Sequence, residues 1–222
     1  MLNKKFLDLY SLISLFLFSL NGFTHTLVIT DSHGEGSFGD EFINLIEAKR
    51  EPLSFYAVGG STPVDWLYGY HQIWGYFEHH TGKAPIRYEH PKTPLFKELL
   101  DAHQPDRVII ELGTNLIWKE ITPEDKQLIA DMMNLTFKAH AKCIWIGPPD
   151  LNPKNSINRN RVLEVQQILT DLSLKNNCKL IPSWKFTHYP VGQGDGIHYD
   201  AIPFIGGKLA RLWARSAFKY ID

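Results

Sequence analysis

Hydrophobic and polar positions along this chain follow two periods. Short apolar runs, rich in β-branched and aromatic residues, predict strands at Leu27–Thr30, Leu53–Val58, Arg107–Leu112, Cys143–Ile146 and Lys179–Ile181. The last four run into glycine or proline: Gly59-Gly60, Gly113, Gly147-Pro148 and Pro182. Between them, apolar residues recur at helical spacing over Phe38–Lys49, Pro94–His103, Thr122–His140, Ile157–Asn176 and Ala201–Tyr220. Thr122 followed by Pro123 is a helix start, with the cap hydroxyl and then a residue whose missing N–H costs nothing there. Strands alternating with helices predict a parallel sheet of about five strands, covered by helices on both faces. In such sheets a site lies at the carboxyl ends of the strands.

One stretch breaks the alternation. Residues 61–91 carry Trp66, Tyr68, Tyr70, Trp74, Tyr76, Phe77 and Tyr88, together with His71, His79, His80 and His90. A short connection and one helix would suffice between the second and third strands, so this segment is an insertion near the functional face. Trp66, Tyr70 and Trp74 recur every four residues, the spacing of one helical face. They are the candidate substrate-binding residues. The opposing expectation is that the stripe packs inward on the sheet.

The first strand enters the turn Asp31-Ser32-His33, and Gly34, Gly36 and Gly39 follow before the apolar helix. A serine there sits beside the free N–H groups of a helix start, a place that suits a nucleophile. Asp31-x-His33-Gly34 resembles the first metal-binding motif of calcineurin-like metallophosphoesterases. Asp31-Ser32 resembles the first block of the SGNH (GDSL-type) hydrolases. The turn by itself leaves both open, as well as a polar turn without chemistry.

The later turns separate them. Gly59-Gly60-Ser61 follows the second strand, Gly113-Thr114-Asn115 the third, and Asp195-Gly196-Ile197-His198 precedes the last helix. In this order they resemble the SGNH blocks carrying serine, glycine, asparagine, and the aspartate–histidine pair. The resemblance implies an α/β/α sandwich, flavodoxin-like, and a catalytic set of Ser32, His198 and Asp195. It also implies an oxyanion hole from the Ser32 and Gly60 amides and the Asn115 side chain. Gly60 is preferred to Gly59 because family members carry glycine followed by a polar residue there. Thr30 and Leu116 depart from the family pattern. The metallophosphoesterase pattern finds no second or third metal motif, leaving Asp31 and His33 with too few partners. No cofactor or metal is called for, and no Gly-x-x-x-x-Gly-Lys loop is present.

Composition adds limits. At 222 residues the chain suits one domain, and a net charge of -1 gives no electrostatic footprint for nucleic acid. Lys4 and Lys5 precede the uncharged run Leu9–Leu20, which has signal-peptide length and is too short to span a bilayer. Residues 1–24 are therefore expected to be a signal peptide removed near Thr24, with an uncleaved anchor as the alternative. The hydrolase domain is expected over 25–222, periplasmic or secreted, with no stable membrane span after processing. Cys143 and Cys178 each lie four residues before the glycine or proline ending their strands. If those strands are parallel neighbours, the two lie at one level, within disulfide reach. Two buried free thiols are the alternative, since side-chain direction is not fixed by spacing.

The expected function is hydrolysis of a carboxylic ester through an acyl-serine, on a small-molecule or glycan ester such as an O-acylated carbohydrate or cell-wall polymer. Acyl transfer to a sugar hydroxyl by the same residues is one alternative, and a non-catalytic carbohydrate-binding protein is the other.

Overall fold

A computed structural model of the chain describes residues 24–70, 74–89, 92–152 and 159–221. The expected signal peptide thus lies, but for Thr24, outside the described residues, as do His71, His90 and the expected helix start at Ile157. No helix among the described residues is long and apolar enough to cross a membrane.

The apolar runs form strands whose residues alternate between two faces. The strands are β1 (Thr26–Thr30), β2 (Leu53–Val58), β3 (Tyr76–His80), β4 (Ile86–Tyr88), β5 (Arg107–Glu111), β6 (Lys142–Ile146) and β7 (Lys179–Ile181). They make one sheet in the order β4-β3-β2-β1-β5-β6-β7. β2, β1, β5, β6 and β7 pair in parallel, which is the five-stranded sheet the alternation predicts. The sheet nevertheless has seven strands. β3 and β4 come from the insertion and add an antiparallel hairpin beside β2.

Among the described residues, six helices cover the sheet: α1 (Ser37–Ala48), α2 (Pro63–Tyr68), α3 (Phe96–His103), α4 (Pro123–Lys138), α5 (Arg159–Lys175) and α6 (Gly206–Phe218). Leu27 and Ile29 of β1 and Val108 and Ile110 of β5 join one core with Trp66, Phe96, Met132 and Val165 from α2 to α5. The intervening Val28 and Ile109 join the other core, with Phe38 and Phe42 of α1 and Trp213 and Ala214 of α6. This is the period-two alternation of strands feeding two helical layers. α4 starts as expected: Thr122 Oγ1 accepts from the Asp125 N–H at 3.1 Å, and Asp125 Oδ2 in turn accepts from the Thr122 N–H at 3.0 Å. α6 begins later than its apolar pattern does. Pro203 interrupts that pattern, and Tyr199–Ala201 forms a separate 3-10 turn.

The register Ile144↔Lys179 sets Cys143 opposite Cys178, and both side chains face the same core. The two are joined as a disulfide, with Cα atoms 4.7 Å apart.

The insertion corrects one expectation. α2 ends at Tyr68, where Gly69 takes a left-handed conformation with φ 70°. The four-residue spacing therefore does not continue as a helical face. Trp66 is fully buried among core residues, its indole N–H donating to Ser61 Oγ at 3.1 Å. It cannot touch substrate. Tyr70 and Trp74 lie beyond the helix and are exposed.

Candidate active site

β1 lies centrally, with β2 on one side and β5 on the other, so the chain leaves it in both directions across the sheet. Such a switch point opens a crevice at the carboxyl end of the strand, and Asp31-Ser32 stands there. Asp31 caps a 3-10 turn over Ser32–Glu35, its carboxylate accepting from the His33 N–H at 3.0 Å. Ser32 is thereby lifted off the strand end.

Ser32 Oγ lies 2.9 Å from His198 Nε2. On the other side of the ring, Nδ1 lies 2.6 Å from Asp195 Oδ2. The second carboxylate oxygen, Oδ1, accepts from the Ile197 and His198 N–H groups, both at 2.8 Å. Partial burial would raise the Asp195 pKa, but the bonds from the His198 ring and these two amides outweigh it and hold the carboxyl below its usual range. The structure thus brings together Ser32, His198 and Asp195, residues drawn from opposite ends of the chain.

Gly60 and Asn115 reach the same place. Ser32, Gly59, Gly60, Asn115, Ile197 and His198 line one cavity of about 340 Å³, with Trp74, Trp118 and Glu35. The Gly59 N–H is committed to the Gly75 carbonyl at 2.9 Å, which favours Gly60 as the donor. Gly60 has φ +75°, a conformation that suits glycine, and a Cβ there would meet Trp74 Cδ1 at 2.5 Å. The Asn115 amide donates to the Ser61 carbonyl at 3.1 Å and to Asp31 Oδ2 at 3.4 Å. To serve an oxyanion it must give up one of these partners.

Three buried residues at or beside the site carried no assigned role from sequence. His33 is buried, with Nδ1 on Asp31 Oδ1 at 2.9 Å and Nε2 facing the Ile197 carbonyl at 3.3 Å. Burial lowers its pKa, yet Asp31 and the Ile197 carbonyl more than offset this and raise it. Both ring nitrogens face acceptors, the arrangement of an imidazolium. Glu111, paired in register with Thr30, is fully buried and neither of its oxygens has a hydrogen-bond partner. Burial and the neighbouring Asp31 push its carboxyl well above the usual range. Asp31, His33 and Glu111 are close enough for their ligand-type atoms to lie within 4.8 Å of one another. They form a buried cluster of titratable groups beside Ser32. Tyr189 is the third. Its buried hydroxyl accepts from the Gly196 N–H at 3.1 Å and faces the His198 carbonyl at 3.2 Å, tying down the loop that carries the histidine. Glu111 is one position before the Leu112-Gly113 turn, so a charged residue ending an otherwise apolar strand was the available signal. Tyr189 gave none.

The fold is that of the SGNH-hydrolase-like three-layer α/β/α sandwiches. Solved structures that share it include TesA, with a TM-score of 0.60, 16% identity, and coverage of 88% of this chain and 98% of that one. A lipase/acylhydrolase from Enterococcus faecalis superposes with a TM-score of 0.56 at 18% identity, covering 87% and 94%. The acetyl xylan esterase AlAXEase gives 0.57 at 14% identity, covering 89% and 100%. No family model matches the chain, and no curated protein sequence does. At such identities the likeness is one of fold.

Proposed function

We propose that this chain is a serine hydrolase that cleaves carboxylic esters through an acyl-serine intermediate. The observation that carries the reading is the continuous chain from Ser32 Oγ through His198 to Asp195, opening into a cavity lined by Gly60 and Asn115. In the reaction, Ser32 Oγ attacks the acyl carbon and its proton passes to His198 Nε2. Asp195 holds the Nδ1–H side of the imidazolium that results. The oxyanion is met by the Ser32 and Gly60 amides and by Asn115, once the latter turns from Ser61. Collapse expels the alcohol, which takes the proton from His198. Water, activated by the same ring, then releases the acid.

The His198 and Asp195 side chains are 42% and 43% exposed. Free access of water to the base favours hydrolysis over transfer to a sugar hydroxyl. The substrate class we favour is an O-acylated carbohydrate. Exposed Trp74 and Trp118 beside the serine support it, since flat indoles suit the apolar faces of sugar rings. One of the structures sharing the fold is named as an acetyl xylan esterase. We also propose that the protein acts outside the cytoplasm, in the periplasm or secreted. The leader-like residues 1–24 support this, as does a disulfide, which persists in oxidising compartments.

The test is a screen of aryl esters of increasing chain length alongside acetylated glycans, with a fluorophosphonate as label. The reagent should modify Ser32, and Ser32→Ala should cost roughly 10³-fold or more in kcat. Asn115→Ala should cost about 10²–10³-fold, the loss of one oxyanion donor. A Ser32→Ala protein that keeps its esterase activity would end this reading. So would activity lost to EDTA and restored by Mn²⁺.

A further inference from the structure

Glu35 is a carboxyl that the proposed reaction does not use, yet it lines three cavities, two of them shared with the serine. One is the 340 Å³ cavity it shares with Ser32, Trp74 and Trp118. A second, of about 250 Å³, holds it with Ser32, His33 and His198. The third, of about 580 Å³, continues past Trp74 to Arg87 and Tyr88 on the β3–β4 hairpin.

Its seat is built by two glycines. A Cβ at Gly59 would lie 2.6 Å from Glu35 Oε1, and one at Gly75 would overlap Oε2. Any other residue at either position would push the carboxyl away. Trp74 rests on the same backbone, over Gly59 and Gly60. The carboxyl and the indole are thus held by the turn that presents the Gly60 amide.

Three ligand chemistries could fill such a place. An acyl chain would need apolar walls throughout, and covering a carboxyl with hydrocarbon costs its hydration. A cationic alcohol would be drawn by an uncompensated carboxylate and indole faces. Here Arg87 lessens that pull, its guanidinium acting on Glu35 electrostatically and its Nη1 donating to the Glu35 carbonyl at 3.5 Å, although Glu89 lines the same outer cavity. A neutral ring bearing hydroxyls fits both parts. Its C–H face lies on an indole, and a hydroxyl bonds the carboxyl.

We propose that Glu35 is the polar anchor of a subsite that takes one sugar ring of an acylated carbohydrate, with Trp74 and Trp118 as its aromatic walls. This rests on the ester-hydrolase reading above and assigns the specificity of that site. Burial raises the Glu35 pKa although the Arg87 guanidinium pulls the other way.

The experiment compares wild type, Glu35→Ala and Glu35→Gln on acetylated xylo-oligosaccharide and on p-nitrophenyl acetate. The ratio of kcat/KM for the glycan to that for the aryl ester should fall about 10- to 100-fold in Glu35→Ala, mainly through KM, the scale of a hydrogen bond to an ionisable group. Glu35→Gln should fall less. In parallel, oligosaccharide binding is measured by calorimetry on Ser32→Ala, where no hydrolysis interferes, and adding Glu35→Ala should abolish it. An unchanged ratio in a folded Glu35→Ala protein overturns the proposal. So does a ratio that falls for acetylcholine and not for the glycan. If Glu35→Ala does not fold, Glu35→Gln and Trp118→Ala carry the same comparison, and an unchanged ratio in both is again fatal. If wild type cleaves neither ester, the hydrolase reading fails, while the binding measurement still decides the role of Glu35.

Discussion

Two tryptophans eight residues apart in sequence should respond to truncation in opposite ways. Trp66 is fully buried in the core between the sheet and α2–α5, and its N–H is bonded to Ser61. Trp66→Ala removes that packing and leaves a cavity, a loss of about 3–5 kcal/mol for a core tryptophan. For a domain of this size each kcal/mol lowers Tm by about 2–4 °C, so the drop should be about 6–20 °C. Trp74 is 61% exposed, leaving about two-fifths of its surface covered. On the scale of ~1.5–3 kcal/mol for burying a large apolar side chain completely, Trp74→Ala should cost about 1 kcal/mol. Its Tm should fall by only about 2–4 °C. The assay is thermal unfolding followed by circular dichroism, with kinetics on the same preparations well below Tm. Trp66→Ala should reduce the folded fraction and depress every substrate together. Trp74→Ala should raise KM for a glycan ester more than for a small aryl acetate. Equal Tm losses for the two variants would refute the packing argument. An unaltered glycan KM in folded Trp74→Ala would refute the substrate role.

Tyr189→Phe keeps the ring in the core and removes the hydroxyl that ties the His198 loop. Loss of the hydroxyl's two bonds, at about 1 kcal/mol or more, should lower kcat by roughly 5-fold or more with KM little changed, and a variant with wild-type kcat would show that the loop holds itself. Glu111→Gln tests the buried acid. Its folded pKa is raised, so the native state binds the proton more tightly than the unfolded chain does, and stability should fall as pH rises from about 4.5 through the folded pKa. Glutamine cannot ionise, so unfolding in urea at a series of pH values should show this part of the slope missing in Glu111→Gln; identical slopes would sink the assignment. Cys143–Cys178 closes a loop with a sequence separation of 35 residues. Unfolded, unreduced protein should give no titratable thiol, and replacing both cysteines by alanine should cost about 2–4 kcal/mol. Two titratable thiols in the unreduced protein would refute the bridge.

Much of this architecture is legible in local pattern. Short apolar runs, four of them ending in glycine or proline, mark all five parallel strands to within a residue or so, because a strand buried on both faces must be apolar nearly throughout. The polar turns after three of those strands mark Ser32, Gly60 and Asn115, since a parallel sheet has its crevice at that end, and the turn before the last helix marks the Asp195–His198 pair. Spacing also put the two cysteines at one level. Whether they bridge depended on which face their side chains take, and that follows from strand register, a tertiary fact.

The tertiary structure alone decided the rest, and for a common reason. The helical spacing of Trp66, Tyr70 and Trp74 is real in sequence, but Gly69 ends the helix and the sheet covers Trp66, so one stripe divides into a core residue and two exposed ones. The insertion pairs as a hairpin because β2 offered a free edge, which no local pattern records. Glu111, Tyr189 and Glu35 each act on partners placed by the fold: Asp31 across the β1–β5 pair, the Gly196 and His198 backbone, and the backbone of Gly59 and Gly75. A lone carboxyl or hydroxyl in sequence carries no mark of such a partner. Burial and distance give it a role, and both exist only once the chain has closed around it.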